Sequence, residues 1–408
     1  MKKSKIVLKV VLFCVVFVGL QYLVKSVTLD DRTSYGRTLL HTIYESDKNM
    51  DMIVCGASHC QFGINTAKMS EKYGINVANV GTSAQGLETS LALIKEVAAY
   101  HDLKKVYVDL DYSMVMREKP NLESIYLVSD YFRPSVRKID YLLNATPFEL
   151  YFNSFMPLHN GREYTENPYK MWEIIKSKLD GSYYQISKTH IYDLWGSVWG
   201  ESVLELDGAF WTNGEKKTLA ESIPEEQQEN LIQMIEFCEK NDIELEFICT
   251  PSSDFHITQI ANYDEYVDMV RQFLAKHGKK YYDFNLCNET LLPLNDDIYF
   301  KDSDHMNGRG AILFAEVLCD FFQGRISEEE LFYRTHQEKM ENSEPRFLGF
   351  EILNVEVAEE KLEVIPVKNQ EGIDIDIEVE RLEEQYHIKA SVNGNVIKTL
   401  KLEDEKLR

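Results

Sequence analysis

The sequence contains few of the residues that build metal centres or disulfide scaffolds. Its 408 residues include seven cysteines, an odd number, and no two of them form a Cys-x-x-Cys pair. No two histidines form a His-x-x-x-His pair either. Such pairs commonly mark zinc sites, whereas an even set of cysteines marks a disulfide framework. We therefore predict no metal and no cofactor, and we interpret the cysteines as small core residues.

Positive charge is scarce. Lys and Arg total 44 against 67 Asp and Glu, which gives a formal net charge of -23. Because a protein that binds nucleic acid contacts phosphates through clustered cations, this composition argues against a nucleic-acid partner. Hydrophobic residues make up 44% of the chain. The chain can therefore bury a large core and has room for more than one domain.

One long hydrophobic run lies near the N-terminus, over residues 6–24, and only Lys9 and Gln21 interrupt it. Three lysines precede the run. About 20 apolar residues can cross a bilayer, and a basic flank favours the cytoplasmic side. Residues 1–28 are therefore predicted to be a single-pass signal anchor, with the rest of the chain outside the cytoplasm. A cleaved signal peptide is the alternative, but no Ala-x-Ala site follows the run.

Beyond residue 28, strand-like apolar runs alternate with helical patterns. Apolar residues recurring every three to four positions predict helices near residues 87–98, 222–238, 262–277 and 307–322. This alternation is typical of an α/β protein in which helices flank a parallel sheet. The five predicted strands are residues 52–55, 76–80, 105–110, 244–250 and 280–284.

A long insertion, at about residues 113–219, separates the third and fourth predicted strands. All four tryptophans lie in it, with many tyrosines and phenylalanines. Because sugar rings and acyl chains both stack on aromatic faces, the insertion could form a lid or a cleft wall. The alternative is that its aromatic residues form the insertion's own core, which is their commoner use.

The pattern changes after residue 326, where we place the end of a main domain of residues 29–326. Residues 327–345 are highly charged and are interpreted as a linker. In residues 346–408 apolar and polar residues alternate, and Asn393 and Gly394 are typical of a hairpin turn. The tail is therefore predicted to be a small β module with one face in water. It could bind a glycan or a partner protein, or it could cover an edge of the main sheet.

Two segments far apart in sequence carry the residues of a Ser-His-Asp triad. Ser58 follows the first predicted strand, at the end of the sheet where open α/β folds place their ligands. Asp302 and His305 precede the last long helix. A serine hydroxyl becomes a good nucleophile when an imidazole takes its proton and a carboxylate orients that imidazole. We therefore expect these three side chains to meet.

Three short motifs, in this order, resemble those of the SGNH or GDSL-like hydrolase superfamily. They are Gly-x-Ser ending at Ser58, Asn-x-Gly from Asn79 to Gly81, and Asp-x-x-His from Asp302 to His305. The resemblance covers about residues 52–322. The layout is similar to membrane-anchored members such as the D-alanine transfer protein of teichoic-acid modification and the O-acetyltransferase components of polysaccharide export. It implies a flavodoxin-like sheet and an ester hydrolase or acyltransferase activity.

The resemblance also implies individual roles. Ser58 matches the nucleophile, His305 the general base, and Asp302 the acid that orients His305. Gly81 matches the glycine whose backbone N–H forms the oxyanion hole together with the N–H of Ser58. Such donors stabilise the negative charge that develops during acyl transfer.

One motif departs from the family. An asparagine donor is expected after the third strand, but residues 108–112 contain two aspartates and no asparagine. Thr82, Ser83, Tyr112 or a backbone group could replace it. Otherwise the oxyanion hole is incomplete until a partner docks.

Several site residues also have simpler interpretations. Ser58 could be a helix cap, and Asp304 could be a solvated loop acid. His59 is expected to point away from the site and receives no role. The acidic loop with Asp296 and Asp297 could hold calcium, but it lacks the EF-hand spacing.

These features predict an extracytoplasmic, membrane-tethered serine esterase or O-acyltransferase that acts on a cell-envelope glycan through an acyl-serine intermediate. The partner implied by the resemblance is a membrane-bound O-acyltransferase. The negative charge favours a neutral glycan or a short acyl donor over a polyanionic phosphate polymer. The alternative is a non-catalytic protein of the same fold that binds glycan or organises an acylation or export complex. A cytoplasmic small-molecule esterase fits less well, because of the N-terminal apolar run.

Overall fold

The fold is that of a computed structural model that describes residues 2–159, 161–186, 195–196, 209–294, 297–356, 361–383 and 385–403. In these residues the strands are β1 (Met52–Cys55), β2 (Val77–Asn79), β3 (Lys105–Asp109), β4 (Trp211–Thr212), β5 (Glu244–Cys249), β6 (Tyr281–Asp283), β7 (Phe347–Glu356), β8 (Lys361–Lys368), β9 (Asp376–Leu382), β10 (Gln385–Val392) and β11 (Asn395–Glu403).

The α-helices in the same residues are α1 (Lys2–Thr28), α2 (Tyr35–Glu45), α3 (Ser58–Gly63), α4 (Thr66–Tyr73), α5 (Leu87–Tyr100), α6 (Tyr112–Val115), α7 (Leu122–Ser129), α8 (Val136–Ala145), α9 (Tyr151–Ser154), α10 (Pro168–Leu179), α11 (Glu225–Lys240), α12 (Asp254–Thr258), α13 (Tyr263–Lys276), α14 (Gly308–Phe322), α15 (Glu328–Leu331) and α16 (His336–Asn342). Short 3₁₀ helices span Phe148–Leu150, Ser182–Tyr184, Phe284–Leu286 and Asp297–Tyr299.

The main sheet is parallel and has the strand order β2-β1-β3-β5-β6. The chain begins in the middle of the sheet, adds β2 on one side, and then crosses to β3 on the other. This is the flavodoxin-like order, and a crevice opens where the direction of winding changes, outside the carboxyl ends of β1 and β3. The predicted flavodoxin-like α/β fold is therefore confirmed.

Helices cover both faces of this sheet, because successive strand residues point to opposite sides. Met52 and Val54 of β1 join the apolar cluster that contains α14, whereas Ile53 and Cys55 join the cluster that contains α5, α11 and α13. All four side chains are fully buried. The apolar face of α14 is thus held against the sheet, which fixes the position of the loop immediately before it.

The seven cysteines are all free thiols. Six of them are buried, and Cys14 is exposed on α1. The interpretation of the cysteines as core residues rather than a disulfide framework is therefore confirmed for those six.

α1 contains one segment, Lys5–Thr28, that is long and apolar enough to cross a membrane, with a mean hydropathy of 2.4. Its most apolar stretch is not buried against the rest of the described chain. A signal sequence near the N-terminus would have the same length and composition. Membrane anchoring by this helix therefore stays a prediction.

The insertion between β3 and β5 divides its aromatic residues between two environments. Tyr126, Phe132 and Tyr141 are buried in the main core. Phe152 and Trp172 are largely exposed. Trp199 and Tyr192, which belong to the predicted aromatic set, lie outside the described residues. One part of the aromatic set thus packs into the core of the main domain rather than into a separate core of the insertion, and the lid or cleft wall stays a prediction.

The tail forms two small sheets, with the orders β4-β7-β8 and β11-β10-β9. Its first sheet includes β4, a strand contributed by the insertion, which pairs in parallel with β7. The predicted hairpin is confirmed, because Asn393 and Gly394 have φ values of 51° and 76° between β10 and β11. Neither sheet pairs with a described strand of the main sheet; instead Gly349 of β7 packs against Phe255 of α12. Among the described residues the tail therefore does not extend the main sheet, and the interpretation of the tail as a cover for one of its edges stays a prediction.

Ion pairs with the buried Asp254 join α16 and the start of the tail to the main domain. Lys339 of α16 is fully buried and donates to Asp254 Oδ1 at 2.5 Å and to the Asn285 carbonyl at 2.9 Å. Arg346, at the start of the tail, donates to Asp254 Oδ2 at 2.7 Å. Burial alone would raise the pKa of Asp254, but Lys339, His336 and Arg346 hold it well below its usual range.

Replacing Lys339 with Met should destabilise the protein strongly, because Asp254 would lose its closest cation while remaining buried. Removing one partner of a buried pair typically costs about 3–5 kcal/mol. The urea midpoint of the full-length protein in detergent should fall markedly. Lys276→Met, at an exposed position of α13, is the matched control and should change stability by less than about 0.5 kcal/mol. Equal midpoints for the two variants would contradict the importance of this pair.

Candidate active site

Ser58 lies at the first turn of α3, directly beyond the carboxyl end of β1. The turn between them needs glycine at position 56, because an added Cβ would lie 2.6 Å from Asp109 Cβ and 2.9 Å from Cys60 Cβ. The N-cap of α3 is Ala57, so the interpretation of Ser58 as a helix cap is wrong. Its hydroxyl is instead directed at His305.

The three predicted triad residues form one chain of hydrogen bonds. His305 Nδ1 lies 3.0 Å from Asp302 Oδ1, and His305 Nε2 lies 2.8 Å from Ser58 Oγ. Because an ionised carboxylate can only accept, Nδ1 carries the proton that is donated to Asp302. Nε2 is then the acceptor for the Ser58 hydroxyl. This is the tautomer that a general base next to a serine requires.

Asp302 is held in place by its own loop. Its Oδ1 accepts the backbone N–H of His305 at 2.7 Å and that of Asp304 at 3.0 Å, in addition to the His305 ring. Burial raises the pKa of this carboxyl, but the hydrogen bonds from His305 and the loop outweigh it and lower the pKa below its usual value. Asp302 is therefore ionised at neutral pH and can orient His305.

His59 lies inside this site, so the expectation that it points away is wrong. Its ring stacks on the His305 ring, with centroids 4.8 Å apart and planes inclined by 9°. Its Nε2 donates to Asp304 Oδ1 at 2.7 Å. Burial lowers the pKa of His59, but Asp111, Asp304 and Asp109 raise it to about 10. His59 is therefore a buried cation that holds the plane of His305.

Asp304 is a structural partner of the site rather than a solvated loop acid. Besides His59, its Oδ1 lies 3.1 Å from His256 Nε2 and accepts the Ser252 hydroxyl at 3.2 Å. Burial raises its pKa, but the hydrogen bond from the charged His59 ring holds that pKa well below the usual range. Burial lowers the pKa of His256, so this second histidine is neutral near pH 7. Asp304 thus connects the loop after β5 and helix α12 to the loop before α14.

Two aspartates, one at the end of β3 and one just after it, supply counter-charges for His59. Asp111 Oδ2 lies 3.7 Å from His59 Nδ1. Asp109 is fully buried, and its Oδ1 accepts the Thr250 N–H at 2.6 Å. Burial raises the pKa of Asp109 to about 6, although His59 opposes the shift. Aspartates therefore occupy the region where the family resemblance expects an asparagine donor.

The two backbone N–H groups predicted to form the oxyanion hole differ in their present hydrogen bonding. The N–H of Ser58 lies in the first turn of α3, where a helix has no acceptor of its own for it. The N–H of Gly81 donates to Asn79 Oδ1 at 2.9 Å. Gly81 is therefore already engaged within the chain, and its role in the oxyanion hole stays a prediction.

The side chains considered as replacements for the missing asparagine are also engaged. Thr82 donates to Gln85 Oε1 at 2.9 Å, and Ser83 to Gln61 Oε1 at 3.3 Å. The Tyr112 hydroxyl lies 3.0 Å from His256 Nε2. Each would have to exchange its present partner before it could stabilise an oxyanion.

The nitrogen and oxygen atoms of His59, Asp304 and His305 lie within 4.8 Å of one another, close enough for a metal ion to bridge them. Their hydrogen bonds already account for this proximity, since His59 donates to Asp304 and His305 contacts Ser58. A cation there would compete with the proton of His59. Asp296, from the candidate calcium loop, lies outside the described residues.

A cavity of about 550 Å³ lies beside the loop that follows β2. Ser83 and Ala84 of that loop line it, together with Leu29 and Asp30 at the end of α1 and residues of the insertion such as Asn121. No sequence motif marked this cavity, because its walls come from three segments that are distant in the chain.

No family model matches the chain, and no curated protein matches it. Among solved structures, a proposed acylhydrolase from Bacteroides fragilis matches with a TM-score of 0.33 and 9% identity, over 71% of this chain and 95% of its own. A proposed platelet activating factor from Streptococcus pneumonia matches with a TM-score of 0.34 and 9% identity, over 73% and 95%. Similarity this low carries no argument about function, which we infer from the strand order and the site geometry.

Replacing His59 with Phe keeps a ring for stacking but removes the buried charge. Because the pKa of His59 is raised from 6.5 to about 10 on folding, its stabilising effect is complete below pH 6.5 and is lost as the pH rises towards 10. We expect the variant to be less stable to urea at pH 6, by about 3–5 kcal/mol. The deficit should shrink through pH 8 and pH 10.

The matched control for this experiment is His41→Phe at an exposed position on α2, which should show little deficit at any of the three pH values. A His59→Phe deficit of the same size at pH 6 and pH 10 would contradict a charged His59.

Proposed function

We propose that this protein is a serine esterase or O-acyltransferase that forms an acyl-enzyme on Ser58. The observation that carries the proposal is the continuous chain from Ser58 Oγ to His305 and on to Asp302, with contacts of 2.8 and 3.0 Å. The three residues come from opposite ends of the main domain. They meet at the carboxyl ends of the strands, where a substrate can reach them.

In the proposed reaction Ser58 Oγ attacks the carbonyl carbon of an ester or thioester, and its proton passes to His305 Nε2. Asp302 stabilises the imidazolium that forms. The tetrahedral intermediate then collapses, and His305 returns the proton to the departing alcohol or thiol. In the second half His305 removes a proton from water or from a sugar hydroxyl, which attacks the acyl-Ser58 carbonyl and frees the serine.

Stabilisation of the oxyanion is the incomplete part of this site. The Ser58 N–H supplies one donor, whereas Gly81 and the side chains nearby are engaged with other partners. We propose that substrate or a membrane-bound O-acyltransferase shifts the loop after β2 and frees the Gly81 N–H. Losing one such donor typically costs about 100- to 1,000-fold in rate. The isolated protein should therefore be a slow enzyme.

For the cellular location of the enzyme, we propose that α1 is an uncleaved membrane anchor and that the active site lies outside the cytoplasm. Its substrate there would be a cell-envelope glycan. The basic N-terminal flank and the length of α1 support this orientation. The cavity between the end of α1 and Ser83 would place an acyl donor or a glycan acceptor near the membrane. With a net charge of -23, a neutral glycan is favoured over a polyanionic phosphate polymer.

A second candidate is a non-catalytic protein of the same fold that binds glycan or organises an acylation complex. The engaged Gly81 N–H and the missing asparagine favour it. The assembled hydrogen-bond chain on Ser58 favours catalysis, and we rank the enzyme first for that reason.

A fluorophosphonate probe should label the full-length protein in detergent at Ser58. Ser58→Ala and His305→Ala should abolish labelling, since the first removes the nucleophile and the second its base. Asp302→Asn should slow labelling by up to about 10⁴-fold, because the wrong imidazole tautomer becomes favoured. Ser222→Ala, at an exposed position before α11, should label like the wild type. A folded protein that does not label would favour the binding role.

In cells, Ser58→Ala should remove alkali-labile acyl groups from the envelope glycan if the enzyme is a transferase. The measurement is the acyl content released by mild base from purified glycan, with protein abundance checked by immunoblot. A rise in acyl content would instead identify a hydrolase. Unchanged esters at unchanged abundance would contradict both catalytic versions.

A further inference from the structure

Exposed apolar side chains are concentrated in one part of the described chain. Outside α1, every described large hydrophobic side chain that is more than 60% exposed lies between residues 136 and 184, within the insertion. A soluble protein rarely leaves such a group of side chains in water without a partner surface. The most exposed aromatic residues are Phe148 at 79%, Phe152 at 71% and Tyr169 at 69%.

The segments that carry these aromatic residues contact the outer end of α1. Gln21, near the end of the apolar run, is half-buried against the insertion. Its Oε1 accepts the N–H of Leu158 at 3.3 Å, and its Nε2 lies 3.6 Å from the Met156 sulfur. These two residues follow closely after α9. The insertion therefore satisfies the amide that would otherwise be stranded in lipid.

The insertion makes further contacts with α1 one to two turns beyond Gln21, towards the C-terminal end of the helix. Lys25 forms an ion pair with Asp130 at 3.1 Å. Lys178 of α10 donates to the Ser26 carbonyl, and the Thr165 N–H donates to the Thr28 carbonyl at 2.8 Å. The insertion thus contacts α1 from residue 21 to residue 28. At 1.5 Å per residue, this contact zone is about 10 Å long.

The start of this zone lies within the apolar run, which ends at Val24. Gln21 is about 4.5 Å from that end, measured along the helix axis. If α1 spans a bilayer, Met156 and the neighbouring aromatic residues cannot stay in bulk water. They must reach the boundary between head groups and acyl chains, where Trp and Tyr are enriched in membrane proteins.

We infer that the insertion forms an interfacial membrane-docking surface. We define this aromatic collar as Phe148, Phe152, Phe155, Tyr169 and Trp172, and its occupant is the outer surface of the lipid bilayer that α1 crosses. The inference rests on the anchoring part of the proposed function and not on the chemistry at Ser58. Docking of the collar would fix the height and tilt of the main domain above the membrane.

Lipid is favoured over a protein partner by two features. α10, which carries Tyr169 and Trp172, contacts α1, and the most apolar stretch of α1 is itself unburied. With a net charge of -23, binding would come from burial of apolar rings rather than from attraction to anionic head groups. Vesicles of zwitterionic phosphatidylcholine should therefore be sufficient.

The test places an environment-sensitive fluorophore on single cysteines of the full-length protein in phosphatidylcholine proteoliposomes. The six other native cysteines are buried, so we expect the probe not to label them in the folded protein. One sample carries the label on native Cys14, and two others carry it on Phe152→Cys or Trp172→Cys after Cys14→Ser. Val396→Cys, exposed on β11 and also made after Cys14→Ser, is the control. Lipids with a nitroxide at a shallow or a deep position serve as quenchers.

We expect deep and shallow nitroxides to quench the Cys14 label, and shallow nitroxides to quench the two collar labels most. The Val396 label should be unaffected. If the Cys14 label is quenched while both collar labels behave like the Val396 label, membrane docking of the collar is contradicted and membrane anchoring by α1 is supported. If the Cys14 label is not quenched, both membrane anchoring by α1 and membrane docking of the collar are contradicted. Fluorophosphonate labelling of Ser58 in the same samples reports separately on the proposed chemistry.

Discussion

The ion pair between His59 and Asp304 joins the two ends of the main domain at the candidate active site. His59 follows β1, and Asp304 lies in the loop before α14, so their contact brings Ser58 to His305. The His59 ring also holds His305 in plane by stacking. Without this buried cation, the carboxylates of Asp109, Asp111 and Asp304 would repel one another with no positive charge between them. The geometry of the triad therefore depends on a residue outside it.

A carboxylate paired with basic side chains also connects other parts of the molecule. Asp254 connects the tail to the main domain through Lys339 and Arg346, and Asp130 connects the insertion to α1 through Lys25. Burial raises the pKa of each carboxyl, but the surrounding cations lower it well below its usual range. In a chain with so many acidic residues, several of the scarce cations thus lie in buried contacts. Such contacts favour one arrangement of the parts because a misplaced charge would be left unpaired.

The insertion contacts both α1 and the loop that follows β2, beside the candidate active site. The insertion contacts the outer end of α1, contributes to the cavity beside Ser83, and places the Trp195 carbonyl 2.9 Å from the Asn79 N–H at the edge of the sheet. Asn79 in turn holds the Gly81 N–H. Trp195 of the insertion is therefore two contacts away from the Gly81 N–H that the proposed oxyanion hole would need.

Local patterns in the sequence determined the five strands of the main sheet, four of its long helices and the members of the candidate triad. Strand and helix periods predicted the parallel sheet, and the positions of Ser58, Asp302 and His305 at element ends predicted that they would meet. The tertiary structure alone decided the roles of His59 and Asp304, the engaged state of Gly81, the entry of β4 into the tail sheet, and the contact of Gln21 with the insertion. Each of these depends on atoms that are distant in the chain. A periodic pattern records which face of an element is buried, but not which charged group lies opposite it.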